Sequence, residues 1–434
     1  MEDYSDLLRH GFDEYRDFIN PLIAERASLA GEPLKVIRTE EGRIATAKSG
    51  WIEDLHGTQA FGHKPAPIIQ AMREYLESDA PSWYPARVNP FAGRLARRLA
   101  ERTGYDNAFF GCTGSDAVEA ALKLSRALTR RPKLLALTGG YHGCSYGSVS
   151  LMSPGYLRDP FAPFVEGAAH LEFGDVDALR HALRAEDVAC VVVEPIQGEG
   201  GVRELPRGYI EALCELTERH GTLLVADEVQ TGLGRAGQGF LASERWPRRP
   251  DIALLAKHLG GGLMPISAML TRRELFEQAY GAHFASGESH NTTMGFNALS
   301  AVAALSALEL LTSDLMQRVV DLGARFKSEL CAALRSSPLV REVRGSGFML
   351  GVSLDSLDHP WLSFEHFGFT DLKQKSVMAP LVCHRMYPHG YFAFSCGHDW
   401  SVLRMQPRFN IPEERLFALP GVLREAIDYL ESLG

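Results

Sequence analysis

The 434-residue chain has no apolar run of about 18 residues, the length a helix needs to cross a bilayer, so no membrane span is expected. It has no excess of positive charge either. The net charge is −9, which leaves no electrostatic footprint for nucleic acid, and its Arg-rich stretch RWPRRP is short, broken by proline and read as a solvated loop. The seven cysteines are odd in number and contain no CxxC pair, which argues against a disulfide framework and for reduced thiols in a cytoplasmic protein. Cys383, His384, His389, Cys396 and His398 crowd together in sequence, but their spacing matches no common zinc pattern and no metal is expected. The amino-terminal MEDYSDLLRHGFDEYRDFINP lacks the basic, then apolar, then small-residue order of a secretory leader. Leu8, Phe12, Tyr15 and Ile19 instead recur at helical spacing and predict an amphipathic helix packed on the body. Internal repeats and low-complexity tracts are missing as well.

What is present is a globular composition, 45% hydrophobic and 23% charged, in a chain too long for one ordinary core. Between Leu134 and Leu270 the short apolar runs LLALT, CVVVE, LLVAD, IALLA and ISAML alternate with amphipathic stretches. Near-continuous apolar strands separated by helices predict an α/β fold with a mostly parallel sheet covered on both faces. Ligands of such sheets collect beyond the carboxyl ends of the strands. The stretches to search are therefore TGGYHG, EPIQGEGG, DEVQTGLGR and KHLGGG. Ala117, Ala120, Ala121, Leu124 and Leu128 trace the buried face of a helix expected to start at Ser115 or Asp116. A helix after about Ser313, a strand at GFMLGVSL and a last helix beyond Pro412 belong to a smaller α+β domain that also takes in the amino-terminal residues. The division expected is 1–58 and 316–434 for the smaller domain and 59–315 for the larger.

Three of these stretches raise a chemical question. Gly-Cys-Thr-Gly-Ser at 111–115, before a helix, offers backbone N–H groups, hydroxyls and a positive helix end, which suit a phosphate or serve as an ordinary N-cap. It is not a P-loop, because no Gly-Lys-Ser/Thr follows. Asp227 ends a buried strand and must find a cation or several donors. Lys257 follows IALLA and precedes three glycines; an ammonium kept partly desolvated is a nucleophilic amine able to form a Schiff base. One molecule satisfies all three: pyridoxal 5'-phosphate (PLP), with its phosphate at Ser115, its ring nitrogen at Asp227 and its aldehyde at Lys257.

In order along the chain, GCTGSDAVEAALKLSR, GGYHG, VVEPIQGEGG, LLVADEVQTGLGRAG, PDIALLAKHLGGGLMP and NTTMGFNA resemble the class III PLP-dependent aminotransferases of fold type I, the family of the ornithine, acetylornithine and 4-aminobutyrate aminotransferases. WIEDLHGTQAFGHKPAPI, VRGSGFMLGV and VLRMQPRF extend the resemblance over nearly the whole chain. It implies that Lys257 carries the Schiff base and Asp227 pairs with the ring nitrogen. Gly114 and Ser115 would hold the phosphate, Tyr141 and Val229 would cover the two ring faces, and Gln230 would bond the phenolic oxygen. Thr293 would reach the phosphate of the neighbouring subunit, so a homodimer is implied.

The resemblance also implies a substrate class. Arg404 falls where the family grips the α-carboxylate of glutamate or 2-oxoglutarate, and Glu199 on the acid that neutralises this arginine when the amine lacks an adjacent carboxylate. An ω-aminotransferase is expected, taking an amine donor and a keto acid acceptor, 2-oxoglutarate. An aminomutase of the glutamate-1-semialdehyde type and a non-catalytic PLP-binding regulator are the alternatives. Cys112, Thr113, Asp116, Met294, Phe296 and Ala298 depart from the family pattern. Trp361, Phe364, Phe367, Phe369, Tyr387, Tyr391, Phe392, Phe394 and Trp400 form an aromatic-rich segment that could line an apolar mouth or fill the small-domain core.

Overall fold

The computed structural model describes the chain apart from residues 1–3, 24, 26–34, 47–49, 86, 87, 282, 358, 360, 367 and 434. Its contacts divide it into two units, Lys64–Asp321 and a unit assembled from Met1–His63 and Leu322–Gly434. The larger holds a seven-stranded sheet in the order Asn107–Gly111, Ser267–Thr271, Ile252–Leu255, Leu223–Asp227, Val188–Val193, Lys133–Leu137, Ala168–Leu171. All five apolar runs lie in it. The four pairings that join Ile252–Leu255 through to Ala168–Leu171 are parallel. Ser267–Thr271 runs antiparallel to both its neighbours, so the sheet is mostly rather than wholly parallel.

Alternation along each strand splits the core between two faces. Leu134, Ala136, Val192, Val225 and Leu254 pack with the Gly114–Thr129 helix on one side. Leu135, Leu137, Val191, Val193 and Leu224 pack with Leu179, Leu183, Leu213 and Leu216 on the other. Burial on both sides is why these strands read as unbroken apolar runs, and it forces polar residues to the strand ends. The helix after the first strand starts at Gly114, earlier than expected, because Thr113 is the cap. Its hydroxyl oxygen accepts from the Asp116 amide at 3.2 Å, while the Asp116 carboxylate accepts from the Cys112 and Thr113 amides at 2.8 and 2.9 Å. The reciprocal box closes with aspartate at the third helical position.

The smaller unit contains two four-stranded sheets. One runs Val36–Glu40, Arg43–Thr46, Trp51–Asp54, Tyr391–Phe392; the other runs Val340–Ser346, Met349–Leu354, Val402–Met405, Phe394–Ser395. Chain from both termini is thus joined in one sheet, by parallel pairing of Tyr391 with Glu53. The final helix spans Glu413–Glu431. Phe364, Tyr391, Phe392 and Trp400 of the aromatic segment are buried core residues, Trp361 is exposed, and Phe367 lies outside the described residues. The Cys383 thiol hydrogen-bonds to the Ala393 carbonyl, and Cys396 is buried.

The amino-terminal helix forms over Tyr4–Phe18, and of its four periodic residues Phe12 is half-buried, with the Lys35 ammonium 5.9 Å from its ring. Leu8 is 40%, Tyr15 41% and Ile19 68% exposed. Spacing specifies which side chains share a face, not what covers them. Among the described residues no single helix is long and apolar enough to cross a membrane.

Candidate active site

Four backbone segments reach the carboxyl end of the large sheet and deliver the polar residues there. Ala226 pairs with Val193 in parallel register, so the residues that follow them, Asp227 and Glu194, emerge side by side. Asp227 also pairs with Leu254, and Lys257 emerges three residues on. Lys257 has φ of +49°, a left-handed conformation that an L side chain adopts at a cost. On the far side of the Ser267–Thr271 strand, Gly111 leads into the first turn of the Gly114–Thr129 helix.

These ends close around a cavity of about 170 Å³ lined by Gly114, Ser115, Tyr141, Asp227, Val229, Gln230 and Lys257, with His142, Gly143, Cys144, Glu194 and Ala256. Seven predicted cofactor residues, from positions spread over more than a hundred residues of sequence, share one space. Glu199 accepts a hydrogen bond at 3.1 Å from Gln230 Nε2. Thr293 is not part of this cavity. It is exposed and lines a separate crevice with Ser82, Trp83, Tyr84 and Asn297. Arg404 belongs to the smaller unit, where it is buried on the Val402–Met405 strand.

The floor is a buried ionisable chain. Asp227 Oδ2 lies 2.8 Å from His142 Nδ1, and its Oδ1 accepts from the Val229 amide at 3.2 Å. Burial pulls the His142 imidazole toward neutrality, but its hydrogen bond to Asp227 and that charge outweigh it and raise the imidazole above its ordinary value. Glu194 accepts from the Tyr141 amide at 2.9 Å and from the Gly198 amide at 3.0 Å, tying the GYHG loop to the QGEGG loop. Burial pushes this carboxyl up to about 7, with the His142 charge opposing and the Asp227 charge reinforcing the rise. His142 and Glu194 escaped the sequence reading. Each sat in a motif already singled out, GYHG and EPIQGEGG, yet nothing local shows that one meets Asp227 and the other the Tyr141 amide.

The roof is built for close approach. Gly143 has φ of +117°, and a Cβ there would run into Ser115 Oγ, which instead accepts from the Cys144 amide at 3.1 Å. A Cβ at Gly114 would stand 3.3 Å from Val229. Tyr141 Oη and Cys144 Sγ are 3.1 Å apart, and burial raises the Tyr141 phenol above its ordinary value. Among the described residues no group of three or more His, Cys, Asp or Glu is placed to hold a metal ion.

A flat, doubly charged, aldehyde-bearing ring fits what is there. The helix start and Ser115 suit its phosphate. Asp227, backed by His142, suits a protonated ring nitrogen, and Lys257 offers an amine at the same cavity. The residues lining the cavity fit PLP.

Comparison with known proteins agrees. A family model of the class-III aminotransferases matches residues 54–427. Aminotransferase PigE of a Serratia species is 36% identical over 352 residues, covering 79% of this chain, which spans only 41% of PigE. Ornithine aminotransferase 2 of Staphylococcus aureus is 34% identical over 339 residues, covering 73% of this chain and 83% of the relative. Among solved structures, the ornithine aminotransferase of Toxoplasma gondii superposes with a TM-score of 0.83 at 26% identity, over 100% of this chain and 97% of that one. A second structure of the Toxoplasma protein has partial occupancy of PLP at its active site, with a TM-score of 0.84 and 26% identity, over 98% of this chain and 95% of that one. A matched model across most of the sequence, relatives above 30% identity and a shared fold-type-I architecture meet at a cavity shaped for PLP, and the chain belongs to the class-III aminotransferases, enzymes that use PLP to transfer amino groups.

Proposed function

We propose that this aminotransferase moves the amino group of an ω-amino acid or amine to 2-oxoglutarate, giving glutamate. The observation that carries this choice is Glu199, an acid fastened at 3.1 Å to Gln230 of the cavity wall. A fixed negative charge there repels a donor whose amine neighbours a carboxylate and favours one whose amine stands alone. Admitting glutamate and 2-oxoglutarate then requires a cation, and Arg404 is the residue that the family resemblance assigns to their α-carboxylate.

When bound, PLP supplies an aldehyde that takes up amines and a ring that accepts an electron pair. Ser115 and the first turn of its helix would hold the phosphate, Tyr141 and Val229 would cover the ring and Gln230 would bond the phenolic oxygen, all of them lining one cavity. Asp227, anchored by His142 and the Val229 amide, keeps a proton at the ring nitrogen. Lys257 would bind the aldehyde at rest, and as a free amine it would be the base that removes the proton from the amine-bearing carbon of the substrate and the acid that delivers it to the former aldehyde carbon. Glu194 acts at one remove, locking the loop that carries Tyr141 and His142. We also infer a homodimer in which Thr293 serves the neighbouring site. Its exposure in a crevice apart from Lys257 supports this.

The test is a panel of ornithine, acetylornithine, 4-aminobutyrate, putrescine and aromatic amines, each with external 2-oxoglutarate. Loss of the visible absorption of the loaded enzyme and stoichiometric release of glutamate are expected with at least one donor. Turnover that ignores 2-oxoglutarate would mark an aminomutase. Absorption unmoved by every amine would mark a regulator.

A further inference from the structure

Tyr141 is held at both ends. Its backbone amide donates to Glu194 at 2.9 Å, and its hydroxyl lies 3.1 Å from the sulfur of Cys144, three residues further along the same loop. Burial, and after it the Cys144 contact, raise the phenol above its ordinary value, so the hydroxyl keeps its proton.

Cys144 faces two ways. Its amide donates to Ser115 Oγ at 3.1 Å while its sulfur meets Tyr141, and both partners line the cavity with it. Gly143 sets the turn that brings it there: its φ of +117° favours glycine, and the missing Cβ leaves room for Ser115 Oγ. The helix that carries Ser115 fastens the rest of the loop as well. Glu119, one turn on, accepts from Ser145 Oγ at 2.7 Å and from the Gly147 and Ser148 amides at 2.8 and 3.0 Å. The backbone of the loop is therefore fixed against the phosphate end of the cavity. A tyrosine side chain still turns about two torsions, and a hydrogen bond at the hydroxyl, the end farthest from the backbone, restricts both. An ordering cost met before the ligand arrives is not charged against its binding.

We propose that Cys144 is a positioning residue for PLP: its thiol holds the Tyr141 hydroxyl, and through it the ring, in place at the cavity, while its amide ties the same loop to Ser115 at the phosphate end. This rests on the reading of Tyr141 as a residue that covers the PLP ring, and adds the residue that orients it.

The experiment measures the dissociation constant of PLP by absorbance titration of the whole chain stripped of cofactor, and the visible circular dichroism of the loaded protein, which reports how the ring is seated. The proteins compared are the parent, Cys144→Ala, Cys144→Ser, Tyr141→Phe, Cys144→Ala combined with Tyr141→Phe, and Tyr141→Ala. Cys144→Ala is expected to weaken PLP about three- to tenfold and to reduce its circular dichroism, with Cys144→Ser, which keeps a donor and an acceptor, restoring both. In the Tyr141→Phe background the same alanine substitution is expected to change PLP affinity by less than about twofold, because the hydroxyl through which the thiol acts is gone. An affinity in Cys144→Ala within about twofold of the parent's, a loss of equal size with and without the hydroxyl, or a loss that serine does not restore would overturn the role of Cys144. PLP affinity unmoved by Tyr141→Ala would overturn the ring-cover reading itself, and the role of Cys144 with it. Should Cys144→Ala not fold, Cys144→Val, which fills the space without a hydrogen bond, is read by the same criteria.

Discussion

Replacing Glu194 by glutamine should change stability by an amount that depends on pH, and the structure sets its sign. Each carboxylate oxygen accepts one amide, Tyr141 at 2.9 Å and Gly198 at 3.0 Å. Glutamine has one acceptor oxygen and turns an NH2 group toward the other amide, a loss of about 1–3 kcal/mol at any pH. The parent carries a different cost. Burial raises the Glu194 carboxyl from 4.5 to about 7, so between those values the folded state binds a proton that the unfolded state has released. Stability is therefore complete below the unfolded value and falls as pH rises toward the folded one. From about pH 5 to about pH 8 the fall amounts to about 2–3 kcal/mol, and glutamine, with no proton to lose, escapes it. Glu194→Gln should be clearly less stable than the parent at the acid end and close to it at the alkaline end. Urea unfolding of the cofactor-free protein at both pH values, followed by circular dichroism, measures the difference. A gap between variant and parent that changes by less than about 1 kcal/mol, or widens with rising pH, would refute the buried, proton-retaining Glu194.

Asp227→Asn keeps the shape but removes the charge opposite His142, and should slow the donor half-reaction by about a hundredfold or more in stopped-flow absorbance; a loss under tenfold would remove Asp227 from the chemistry. Gly143→Ala places a Cβ on Ser115 Oγ at φ of +117°, so PLP affinity by absorbance titration should fall at least about tenfold, and unchanged affinity would separate Gly143 from the phosphate site. Thr293→Ala mixed with Lys257→Ala should recover part of the parent turnover if each site takes Thr293 from the other subunit; sedimentation of a lone monomer would end that expectation.

Much of the fold was legible because its causes are local. LLVAD and IALLA are apolar throughout since both faces of their strands are covered, and Thr113 with Asp116 caps a helix through contacts three residues apart. The helix start was misplaced by one or two residues for a local reason too, since Ser115 and Asp116 also read as caps and only the hydrogen bonds show that Thr113 is one. The site was legible in part: a charge at the end of a buried strand is anomalous wherever it occurs, which marked Asp227 and Lys257. His142 and Glu194 carried no such mark, because a histidine in a glycine-rich loop and a glutamate before proline are ordinary until their partners are known.

By itself the sequence determined most of the strands and helices, the family, and the two charged residues, Asp227 and Lys257, that mark the cavity, all properties of short stretches or of their order. The tertiary structure decided the rest. His142 meets Asp227 across 85 residues of chain, and Glu194 bonds an amide 53 residues away. The exposure of the amino-terminal helix was likewise settled by contacts, not by its pattern. Local pattern specifies backbone form and which face is apolar; a partner distant in sequence is chosen by packing and strand register, and no single segment contains that information.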